Sequence, residues 1–99
     1  MAKYSEKETL QILFRDLCKS EERTFFDPQS NDFVLPDANG TIVKRPENND
    51  YIKLDFNRSY GGYQMQENGG SRPFLMSDTR YSVTEMIAFI RGYFANKYQ

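Results

Sequence analysis

Two Ser-x-x-Glu boxes, Ser5-Glu6-Lys7-Glu8 and Ser82-Val83-Thr84-Glu85, stand near the two ends of the chain, and each opens an apolar stripe of helical period. In such a box the Ser hydroxyl accepts from the amide three residues on, and the Glu carboxylate reaches back to the Ser amide, so each marks a helix start. After the first box, Leu10, Leu13, Phe14 and Leu17 follow at i, i+3, i+4 and i+7, which predicts a helix from about residue 6 to 19. It fades into the charged run Lys19 to Arg23. After the second, Val83, Met86, Ile87, Ile90 and Phe94 form the stripe, with Phe89 and Tyr93 widening it. Tyr81 precedes the cap and Met86 stands at N4, the positions of a hydrophobic staple.

The stretch between the helices carries strand and turn signals. Thr24-Phe25-Phe26 is a short aromatic run stopped by Asp27-Pro28. Phe33-Val34-Leu35 and Thr41-Ile42-Val43 flank Asn39-Gly40, a hairpin signal because both residues tolerate positive φ. Tyr51 to Phe56 alternates, which puts Ile52, Leu54 and Phe56 toward the core and Tyr51, Lys53 and Asp55 outward. Tyr63 and Met65 alternate across Gln64 and Gln66. Glu67 to Gly70 then turns the chain, and Phe74-Leu75-Met76 returns as a partner strand. Pro73 marks that strand as an edge or delays its start. The expected fold is α+β, a single domain over residues 1–99. It has an N-terminal helix, an antiparallel β-meander of four to five short strands and a C-terminal helix, both helices on one sheet face.

Composition removes several functions. There is no histidine among the 99 residues, so every Ser-His or Cys-His arrangement is absent, as is the commonest metal ligand. The single cysteine, Cys18, cannot pair within the chain, which fits a reducing compartment. It follows the core position Leu17 and reads as an ordinary half-buried thiol. Asp37, Asn39 and Thr41 alternate as calcium ligands do, but an EF-hand loop needs glycine at its sixth position and a carboxylate at its twelfth. Here Gly40 comes fourth and Asn48 twelfth, so a plain turn explains the segment. The glycine pairs Gly61-Gly62 and Gly69-Gly70 lack the lysine and helix of a phosphate loop and the spacing of a dinucleotide fingerprint. No cofactor and no metal is expected, and the protein reads as non-enzymatic, with carboxylate-only catalysis as a remaining alternative. No run of about 18 apolar residues and no leader is visible, so a soluble cytoplasmic protein without membrane contact is expected.

Charge is uneven. The net charge is −1, yet residues 57–99 carry five Lys/Arg against three Asp/Glu. Arg58, Tyr60, Tyr63, Arg72, Arg80 and Tyr81 gather within 24 residues, and Arg with Tyr is the composition of contact surfaces. These six are the candidate partner-binding residues, with another protein as the expected partner. Single-stranded nucleic acid is the alternative, through ring stacking and phosphate pairing. A homodimer through the last helix, or through an edge strand bearing Tyr63 and Met65, is a further reading.

Residues 61–94 carry Gly62-Tyr63, the turn at Gly69-Gly70, Arg80, the box Ser82 to Met86 and Gly92-Tyr93. In these features the stretch resembles the C-terminal half of small, mostly uncharacterised proteins encoded by phages and prophages. The resemblance implies a small viral or mobile-element protein, in the host cytoplasm, that binds and modulates a host or phage protein such as a defence component. It brings no assigned activity.

Overall fold

The computed structural model of the chain describes residues 4–67, 72–75 and 78–97. Ser5 caps the first helix, α1 (Glu6–Ser20), as the box requires: its hydroxyl accepts from the Glu8 amide at 3.1 Å, and the Glu8 carboxylate accepts from the Ser5 amide. Leu10, Phe14, Leu17 and Cys18 are fully buried along one side. Cys18 is more enclosed than the half-buried thiol expected, and burial pushes its thiol pKa far up, which leaves it unreactive. The helix does not fade but ends in a Schellman turn. The Arg23 amide donates to the Cys18 carbonyl, the Glu22 amide to the Lys19 carbonyl, and Glu22 takes φ 57° where glycine is usual.

That reversal delivers β1 (Phe25–Asp27), then β2 (Asp32–Val34), β3 (Ile42–Val43), β4 (Ile52–Asn57), β5 (Gly62–Glu67) and β6 (Arg72–Pro73), before the last helix, α2 (Val83–Lys97). The sheet order is β3-β2-β1-β4-β5-β6. The expected antiparallel meander of four to five strands is corrected in two respects: six strands form, and β1 pairs with β4 in parallel, Phe25 opposite Ile52. The other neighbours are antiparallel. Burial accounts for the crossover. Beside β3, whose Ile42 is exposed, Ile52 would meet solvent, whereas beside β1 both Phe25 and Ile52 are fully enclosed. The bond from the Ile52 amide to the Thr24 carbonyl, 2.9 Å, fixes the register.

The β2–β3 loop uses Asp37 as a brace. Its carboxylate accepts from the amide and the hydroxyl of Thr41, and Gly40 sits at φ 62°. The alternation of β4 is right about face and wrong about depth. Ile52 is buried and Leu54 half-buried, but Phe56 is 57% exposed. Gln64 and Gln66, whose alternation reads as outward, are buried. Gln66 donates to the Gln64 side chain at 2.8 Å, and Gln64 donates to the Asp78 carbonyl, so the chain ahead of α2 lies over them. The return strand is also shifted. It is Arg72–Pro73, not Phe74-Leu75-Met76, because Leu75 turns to φ 61° and cannot extend the ladder. Phe74 is buried beneath the Arg23 guanidinium, while Met76 and the turn at 68–70 lie outside the described residues.

Ser82 and Glu85 exchange both bonds of the second box. Met86, Ile87 and Ile90 are buried, and Val83, Phe89, Tyr93 and Phe94 pack against the same core. The Tyr81 ring stacks on Phe89. The apolar arc read as a dimer surface is thus partly used within the chain. Thr84 donates to Glu6 at one end, and at the other Lys97 donates to the Ser20 carbonyl and hydroxyl and to Glu21. The helices therefore run parallel, both starting at the same end. No helix among the described residues is long and apolar enough to cross a membrane.

The far end of this helix pair titrates. The Tyr93 hydroxyl, followed by Lys97, holds the Glu21 carboxyl below the usual glutamate range, while Glu21 raises Lys97. A depressed folded pKa stabilises above the unfolded value and loses that stability as pH falls through the folded one. A raised lysine pKa contributes below its ordinary value, and that contribution goes only as pH rises past the folded one. Glu21→Gln is therefore expected to lower thermal stability at neutral pH. The gap to wild type should close as acid protonates Glu21 below the usual glutamate range. Melting curves across that range check it, and a gap independent of pH would remove Glu21 as the titrating group.

Candidate interaction surface

The hairpin joining β4 and β5 is built around Asn57. Its side-chain carbonyl accepts from the amides of Ser59 and Tyr60, 2.9 and 3.2 Å, an Asx turn that frees the next residues from the ladder. Gly61 and Gly62 follow at φ 101° and 126°. Arg58 and Tyr60 project from this turn, with Tyr60 75% exposed. Behind it Phe56 and Tyr63, opposite each other in register, hold their rings 4.8 Å apart.

Phe56 lies exposed beside the first turns of the helices, 57% of it open to solvent. It stands where both begin, and the gap between hairpin and helix starts is a cleft of about 530 Å³. Lys7, Phe56, Arg58, Tyr63 and Val83 line it, with Gly61, Gly62 and Ser82 supplying backbone and a hydroxyl. A second hollow of about 450 Å³ shares Lys7, Phe56 and Tyr63 and continues to Leu10, Gln11, Pro28 and Leu54. The two form one groove with an aromatic floor. Its size falls within the range of sites that enclose a ligand or an anchoring side chain.

The six residues expected from sequence separate. Arg58 and Tyr63 line this groove, and Tyr60 is exposed on the same turn as Arg58. Tyr81 is bonded to Tyr63 through the backbone, 2.7 and 2.9 Å, but turns its ring to Phe89. Arg72 is at the opposite end of β5, paired with Glu67 at 2.8 Å. Arg80 faces inward: it donates to the Gly62 carbonyl at 3.0 Å and to Asp55 at 2.8 Å, and only 12% of its side chain is exposed. Phe56 and Lys7 were not among the six. Nothing in the alternation of β4 tells that its last apolar residue stands at an open cleft. Lys7 reads as one solvated charge in a first helical turn.

The groove's lining offers apolar surface, an ammonium, a guanidinium and hydroxyls, with no carboxylate or thiol among the described residues. Comparison of the chain with protein-family models, curated proteins and solved structures finds no match.

Proposed function

We propose that the protein is a non-enzymatic binding module that docks a segment of another protein in the groove at the β4–β5 hairpin. In the setting implied by the resemblance of residues 61–94, the partner is a host or phage protein, and docking modulates it. The observation that carries the reading is Phe56. A phenylalanine more than half exposed, beside a second ring and a cleft, is the kind of anchor surface on which binding energy concentrates. Tyr60 extends the same surface, and its rigid ring loses little entropy on contact. The nucleic-acid alternative has less behind it, because Arg72 and Arg80 are both committed to carboxylates.

A photo-crosslinking side chain at position 60 is expected to capture a defined partner, and one at the exposed Ala95 is not. Phe56→Ser should then weaken that partner's affinity at least tenfold, about 1.4 kcal/mol. The melting temperature should barely change, since the ring is already largely in solvent. Full affinity in a folded Phe56→Ser protein would sink the reading.

A further inference from the structure

The groove's charge identifies the chemistry of its occupant. Lys7 and Arg58 line the same cleft, and neither has a carboxylate within ion-pair distance among the described residues. The acids around them are already engaged. Glu8 binds Ser5, Glu85 binds Ser82, Glu6 accepts from Thr84, and Asp55 is held by Arg80. Glu6, Glu8 and Glu85 also face the positive ends of the two parallel helices, so those ends are offset. What stays without an ion-pair partner on the rim, among the described residues, is one ammonium and one guanidinium over an aromatic floor. Residues adjacent in a helix do not face each other, so Glu6 and Glu8 do not neutralise Lys7 at the groove.

We propose that the groove takes an acidic peptide segment: one large apolar side chain seated on Phe56 and Tyr63, with Asp or Glu beside it paired to Lys7 and Arg58. This rests on the docking reading above and narrows it. Complementary charge sets which partner is accepted and in which register, while the apolar anchor supplies the contact. The guanidinium favours a planar carboxylate in two-pronged contact, and the ammonium a single oxygen.

The test is selection of a random dodecapeptide phage library on the full-length protein, with Phe56→Ser and Lys7→Glu/Arg58→Glu proteins in parallel. The expected result is enrichment of sequences with an aromatic or aliphatic anchor flanked by Asp or Glu. A synthetic peptide of the enriched sequence should lose at least tenfold in affinity on the charge-reversed protein. It should also weaken steadily from about 50 mM to about 500 mM salt, as screened pairs do. A Lys7→Gln/Arg58→Gln protein, which removes charge without adding repulsion, should show an intermediate loss and guards against a fold defect in the reversal. Apolar-anchored peptides with no acidic bias, or with a basic one, would overturn the inference and leave the docking reading standing. Equal enrichment on wild-type and Phe56→Ser proteins, or none on wild type, would overturn both.

Discussion

Gly62→Ala is expected to cost the fold about 3 kcal/mol, the largest loss predicted for any change near the groove. Two independent penalties meet there. The residue sits at φ 126°, a region that L side chains rarely adopt. A Cβ at that point would also come within 3.0 Å of the Tyr81 carbonyl carbon and nearer still to its oxygen. Those are backbone atoms, and no rotamer change moves them away. The Tyr63–Tyr81 bridge and the Arg80 bond to the Gly62 carbonyl fix both strands at that spacing, so relief requires breaking what leads into α2. Gly61 is the internal control. It has φ 101° but open space at its Cβ position, and Gly61→Ala should cost only about 1 kcal/mol. Urea denaturation of the two variants separates conformational strain from steric contact. Equal losses would show that the closeness to Tyr81 does not matter.

Local pattern carried most of the elements and little of their arrangement. Both capping boxes and the buried helical stripes are short-range properties, and each appears where the residues predict it, whereas the β4 alternation buries Ile52 but leaves Phe56 exposed. The parallel join of β1 to β4 is different. Nothing within Phe25-Phe26 states whether its second neighbour is β3 or β4. That choice comes from burying Phe25 and Ile52 together, a property of the assembled core. Gln64 and Gln66 mislead for a related reason. Polar alternation predicts an outward face, but chain arriving 14 residues later supplies a carbonyl that makes burial tolerable. Arginine shows the same limit at the site. Arg58 and Arg80 both neighbour a tyrosine-bearing turn or bridge, yet one is tied to Asp55 and Gly62 while the other stands at an open cleft. Residue type names candidates, and only the fold separates those already bonded within the chain from those still exposed.

That separation makes Arg80→Ala a trap for any binding experiment. The variant is expected to lose about 2 kcal/mol of stability, because it removes the guanidinium bond to the Gly62 carbonyl and leaves Asp55 with Lys53, 3.9 Å away, as its ion-pair partner among the described residues. The loss stays below that of a fully buried ion pair because the Asp55 carboxylate retains some solvent. Arg72→Ala should cost under about 0.5 kcal/mol: its side chain is 68% exposed, and Glu67 keeps Arg23 at 3.3 Å. A double-mutant cycle with Asp55→Asn should return a coupling of about 1 kcal/mol for Arg80. No coupling at all would remove the ion pair from the account. Binding then reads out the difference in kind. A deficit caused by Arg80→Ala should follow the unfolded fraction and vanish where the variant is fully folded, at lower temperature or low denaturant. On the docking reading, the deficit of Phe56→Ser should persist there unchanged, because a ring 57% exposed adds little to the fold.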